Sequence, residues 1–172
     1  MSLKYKNGDD VSDSIGLLIS ILVRYPEVGT INFDPQSHEL KLTFIVSGKY
    51  NEKEIEEFLI ILRNSMILYH QLERIKPQVM SIDWQSCDNY TILDLIRDVD
   101  TLSHTELSFI IELFETHFNQ VLVMESNEQL WEEDLQLQDE IIGHMLESIK
   151  NGMPDKKLIA YREEGKVLVF NL

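Results

Sequence analysis

The chain switches repeatedly between two hydrophobic periods, one of about 3.6 residues and one of about two, and the switches mark its elements. Val11, Ile15, Leu18 and Leu22 recur at helical spacing. They predict a helix over Asp9 to Arg24, capped by Asp10 or Ser12 and stopped by Pro26. Val28 to Asp34 reads as a short strand with Ile31 and Phe33 on one face. After the turn residues Asp34-Pro35-Gln36-Ser37, Glu39 to Ser47 alternates, with Leu40, Leu42, Phe44 and Val46 on one side. The two strands are expected to form a hairpin.

Gly48 breaks the second strand, and Asn51 with Glu54 predicts a capped helix start. That helix is expected to reach about Ile75, burying Ile55, Phe58, Leu59, Leu62, Met66, Tyr69 and Leu72. Ile60, Ile61, Ile67 and Leu68 widen the stripe past one face, which places the helix at the centre of the core or beneath a covering surface. Pro77 stops it. Val79 to Ser86 alternates through Met80, Ile82 and Trp84, and Tyr90 to Val99 is rich in β-branched and aromatic residues. Cys87-Asp88-Asn89 joins them as a hairpin loop.

Ser103-His104-Thr105-Glu106 has the spacing of a capping box, and Leu107, Ile110, Ile111, Phe114 and Phe118 follow on one helical face. Asn119 marks the end, and Val121 to Glu125 is a short strand. A last helix, capped by Ser126 or Asn127, turns Trp131, Leu135, Gln138, Ile142, Met145 and Ile149 inward and closes at Gly152 and Pro154. Leu158 to Arg162 and Val167 to Asn171 form a terminal hairpin.

The order is α-ββ-α-ββ-α-β-α-ββ, an α+β class with an antiparallel sheet and helices mainly on one face. Residues 39–125 read β-α-β-β-α-β, the split βαβ or ferredoxin-like arrangement. An N-terminal α-β extension (9–34) and a C-terminal α-β-hairpin extension (127–172) complete a single domain over residues 1–172. These flanks must cover the other sheet face, extend the sheet, or leave apolar strand surface for a second subunit.

Length and composition agree with one globular unit: 172 residues, 44% hydrophobic and 26% charged. The longest apolar run, Ile15 to Val23, is far short of the ~20 residues of a membrane span. Asp9, Asp10 and Asp13 before it do not suit a secretion signal. Cys87 is the lone cysteine, so neither an internal disulfide nor a four-cysteine zinc site can form. The expected location is cytoplasmic.

Charge changes the picture more. The net charge is −15, and from Asp98 to Ile149 there are thirteen acids and no Lys or Arg. Nucleic acid and anionic membrane are disfavoured as partners, because each phosphate contact needs a cation. The outer side of the last helix, with Glu128, Glu132, Glu133, Asp134, Asp139 and Glu140, is a docking face for a basic protein partner or a solvated face that maintains solubility.

Motifs for common enzymes are missing. The seven glycines make neither a dinucleotide loop nor a P-loop, and there is no nucleophile elbow or paired-histidine zinc-protease helix. No cofactor signature is present. The most site-like cluster is Asp94, Asp98, Asp100 and His104, at the end of a strand and the following turn. Converging there, they would hold Mg²⁺, Mn²⁺ or Zn²⁺ and activate water, as a metal-dependent hydrolase or nucleotidyl-type enzyme requires. A calcium loop counted from Asp98 fails, with Ser103 where glycine belongs and Phe109 where glutamate belongs. Cys87 at its hairpin has no basic neighbour to activate it. Glu140, His144 and Glu147 share a helix face, but other helices supply no matching ligand set. The leading expectation is a non-enzymatic binding or regulatory module, homodimeric, using the acidic face. The alternatives are the metal enzyme and a small-molecule sensor at a dimer interface.

Overall fold

The computed structural model describes residues 13–125, 132–151 and 156–172. Four helices and six strands are present among them: α1 (Asp13–Arg24), β1 (Thr30–Asp34), β2 (Glu39–Ser47), α2 (Glu52–Glu73), β3 (Met80–Cys87), β4 (Tyr90–Asp98), α3 (His104–His117), α4 (Glu132–Asn151), β5 (Leu158–Glu163) and β6 (Lys166–Asn171). The class is α+β. The proposed caps Asp10, Ser12, Ser126 and Asn127 lie outside the described residues, as do Val11, Glu128, Trp131, Gly152 and Pro154.

All six strands join one antiparallel sheet in the order β3-β4-β2-β1-β5-β6. The expected hairpins form: β1 with β2, β3 with β4, and β5 with β6. β4 lies between β3 and β2, so the β2-α2-β3 crossover is split. The fourth core strand is different. β1 occupies the edge of β2 from Glu39 to Thr43, leaving only its far end free. There Val121 to Val123 add a stub: Ser47 N–H donates to the Val121 carbonyl and Val123 N–H to the Ile45 carbonyl, both at 2.7 Å. The expected strand at Val121 to Glu125 is thus a single bridge, Val46 to Leu122.

Alternation decides which face is covered. Leu40, Leu42, Phe44 and Val46 of β2, Leu93 and Leu95 of β4, Ile31 and Phe33 of β1, and Leu158 and Ala160 of β5 are all buried on the helical side. Phe44 stacks on Phe114 of α3 with ring centroids 3.7 Å apart, and Phe58 of α2 meets the same ring edge-on at 4.9 Å. Such pairs add about 0.5–1.5 kcal/mol each beyond area burial. α1 packs on α4 and against β1, β5 and β6, so the flanks extend the sheet and cover its helical side. Arg162 of β5 closes the end of α1 by donating to the carbonyls of Leu22, Tyr25 and Val28. The opposite face, with Thr43 and Ile45 of β2 and Ile92, Asp94 and Ile96 of β4, stays half-exposed.

α2 has the predicted capping box: Asn51 accepts from Glu54 N–H at 2.8 Å, and Asn51 N–H donates to the Glu54 carboxylate. It ends earlier than expected, at Glu73, where Arg74 takes a left-handed conformation (φ 57°). Leu72 is exposed, not buried, and His70 lies inside at the end of the stripe that runs from Ile55 through Met66. No helix among the described residues is long and apolar enough to cross a membrane.

Candidate functional site

The four residues of the expected metal cluster are not brought together. Asp94 lies on the open sheet face and accepts a 2.6 Å hydrogen bond from Thr43. Asp98 is buried at the end of β4, where it caps the 3₁₀ turn Val99–Thr101. Its carboxylate accepts from the backbone N–H groups of Gln78, Val79 and Thr101 and from the Thr101 hydroxyl. Asp100 is near the surface, 3.3 Å from His38. His104 opens α3 and faces Tyr25 and Asp139. Among the described residues no three His, Cys, Asp or Glu side chains could hold a metal ion between them. Alternation put Asp94 and Asp98 on one strand face, but the strand ends at Asp98 and its side chain turns inward to the 3₁₀ turn.

Asp98 belongs instead to a buried ionic network. Arg97 follows Leu93 and Leu95 on the covered face of β4 and is 1% exposed. Its Nε donates to Glu106 Oε2 at 2.5 Å and its Nη2 to Glu106 Oε1 at 2.9 Å, while Nη1 reaches Asp98 and the Thr101 hydroxyl. His70 Nε2 lies 2.9 Å from Glu106 Oε1. Glu106 therefore does not complete the expected capping box. Ser103 accepts from the Glu106 N–H at 3.1 Å, but the carboxylate is committed to Arg97 and His70. A buried carboxylate gains more from a guanidinium in low dielectric than from an exposed backbone N–H. Sequence reasoning missed Arg97, Glu106 and His70, although an Arg in register with Leu93 and Leu95 was a legible signal.

Burial itself works against the Asp98 carboxylate. The backbone N–H of Val79, the Thr101 side chain and the Arg97 charge outweigh it and hold Asp98 below the usual carboxylate range. These groups have partners within the protein, and although His70 also lines a groove beside the end of α2, Arg97, Asp98 and Glu106 are closed off from solvent, so the network supports the fold.

A second polar cluster joins α1, α3 and α4. The Tyr25 hydroxyl lies 2.5 Å from Ser108 Oγ and 2.9 Å from His104 Nε2. Asp139 accepts from Arg24 Nε at 2.9 Å and lies 3.1 Å from His104 Nε2. Burial pushes the Tyr25 phenol up, against the lowering effect of the Ser108 hydrogen bond. Serine, histidine and aspartate are together here, yet not as a nucleophilic triad. Asp139 approaches the same ring nitrogen that faces Ser108, where a triad needs the opposite one, and the Ser108 hydroxyl is taken by Tyr25. The cluster ties three helices together.

The acidic stretch is sorted by the fold. Asp98, Glu106 and Asp139 are held in internal ion pairs. Asp139 thereby leaves the expected docking face. Glu132, Glu133, Asp134 and Glu140 on α4 are exposed, and none of them makes an ion pair among the described residues. Glu147 is paired with Lys150 at 2.7 Å, and His144 is exposed. Cys87 is exposed at the β3–β4 turn, and Tyr161 stacks on Phe170 within the terminal hairpin, ring centroids 5.8 Å apart. No protein-family model, curated protein or solved structure matches the chain.

Proposed function

We propose that the protein is a non-enzymatic protein-binding module that docks a basic partner on the first half of α4. The observation that supports this most is the separation of the acids. Internal cations are used on Asp98, Glu106 and Asp139, while Glu132, Glu133, Asp134 and Glu140 face outward with no cation within ion-pair distance among the described residues. The first three also sit in the first turn of α4, where the helix dipole favours negative charge. They are held at a fixed spacing on a rigid element, and their common field speeds association with a cationic surface.

Titration with a lysine-rich peptide tests this reading. Affinity should fall steeply as salt rises, because exposed charges are screened within about a nanometre at physiological ionic strength. It should be lost in the Glu132→Lys, Glu133→Lys, Asp134→Lys variant. Binding that ignores salt and survives those substitutions would contradict the proposal.

A further inference from the structure

The outer side of α2 is apolar along much of its length. Ile60 is 54% exposed, Ile61 47%, Ile67 56%, Leu68 56% and Leu72 72%. A patch of exposed apolar side chains on one helix face, a few hundred Å² on a typical monomer, is often functional. Asn64 lies within this face and is exposed. Four of the five apolar side chains are placed symmetrically about it: Ile60 and Ile61 come four and three residues before, Ile67 and Leu68 three and four after, while Leu72 has Glu56 at its mirror position.

That symmetry is what an antiparallel contact between two identical helices requires. In a two-fold interface residue i meets residue j and j meets i. With Asn64 on the axis, Ile60 comes level with the partner's Leu68, and Ile61 with the partner's Ile67. At about 100° per residue, Ile60 and Ile67 fall on one flank of the stripe and Ile61 and Leu68 on the other. Each level of the seam thus receives one side chain from each flank, which fills it evenly. Asn64 would meet its own copy, and seven residues away on the same line Glu57 would come level with the partner's Gln71, so polar positions meet polar ones and help to fix register.

Charge supports the same arrangement. Glu54 in the first turn of α2 comes level with the partner's Arg74, the residue that ends the helix, and the helix dipoles oppose. A groove of about 590 Å³ beside the end of α2, lined by Ile67, His70, Gln71, Arg74, Ile75 and Pro77, lies where the partner's first turns of α2 would rest.

We propose that the chain forms a homodimer through antiparallel packing of two α2 helices about Asn64. This contact is separate from the acidic face of α4, since α3 contacts both helices, and the two proposals can fail independently. Sedimentation equilibrium of the full chain should give twice the 20.1 kDa of one chain. The Ile60→Lys, Leu68→Lys variant should be a monomer whose circular dichroism matches the parent, because both side chains are already exposed. Register is tested with substitutions that leave the stripe intact. In a Cys87→Ser background, Asn64→Cys should oxidise to a disulfide-linked dimer, whereas Glu112→Cys on the exposed side of α3 should not. A monomer at all concentrations, a dimer indifferent to the lysines, or equal cross-linking at both positions would overturn the proposal.

Discussion

Arg97 and Glu106 face each other through two parallel hydrogen bonds, Nε to Oε2 at 2.5 Å and Nη2 to Oε1 at 2.9 Å, with both side chains at most 1% exposed. The pair joins strand β4 to the first turn of α3, and the same guanidinium also reaches Asp98. Removing one member strands the other in low dielectric. Arg97→Met should cost about 3–5 kcal/mol in urea unfolding, the usual range for breaking a buried pair. The double variant Arg97→Met, Glu106→Leu should lose much less than the two single losses added, because no carboxylate is then left at 106 facing an uncharged side chain at 97. Additive losses would show that the two residues do not act as a pair.

Asp98 gives this network a pH signature. Its folded-state pKa is below the ordinary value of about 3.9, so its contribution to stability is present above that value and is lost as pH falls through the folded one. Urea midpoints should therefore drop on acidification below about pH 4. Asp98→Asn should be less stable than the parent at neutral pH and show a shallower acid limb. Parallel limbs would contradict the assignment.

Glu27 behaves in the opposite sense. It is half-buried, its Oε2 has no hydrogen-bond partner among the described residues, and burial pushes its carboxyl up, with Glu115 adding to the effect. The folded state then holds a proton that the unfolded chain has already released. Stability falls as pH rises from about 4.3 through the folded value and stays lower above it. Glu27→Gln should raise the midpoint at pH 7 and give no such gain below the unfolded pKa. A drop at pH 7 would show the carboxylate to be favourable where it stands.

On the open face, Asp83 of β3 lies directly across from Asp94 of β4. Like charges in that register repel. Asp83→Lys converts the repulsion to attraction and should stabilise the protein by roughly 0.2–1 kcal/mol, with the gain shrinking at high salt. No gain at low salt would mean that Thr43, which already donates to Asp94, satisfies that carboxylate fully.

Much of the architecture was legible in the chain. Alternation identified β2 and β3, β-branched and aromatic content identified β4, and turn chemistry paired β1 with β2 and β5 with β6. What was not legible depended on contacts distant in sequence. Local spacing made Glu106 a capping residue, but Arg97 and His70 competed for its carboxylate and won. Val121 to Glu125 had the pattern of a strand, but β1 had already taken most of the edge it needed. The apolar width of α2 was visible as an excess of Ile and Leu. Only the fold shows that the excess points away from the sheet and not into it. The candidate metal residues fared worst, because closeness in sequence at the end of β4 does not bring side chains together when the chain turns there. The acidic stretch was seen as one feature. In three dimensions it divides into acids tied in ion pairs, Asp98, Glu106 and Asp139 among them, and exposed acids, of which Glu132, Glu133, Asp134 and Glu140 lie on α4.

That outward group carries the functional account, and its location can be mapped directly. Amide chemical shifts of the isotope-labelled protein, followed while a lysine-rich peptide is added at low salt, should move along residues 132–140 of α4 and return as salt is raised. Shifts confined to the open face of β3 and β4, or no shifts at all, would contradict it.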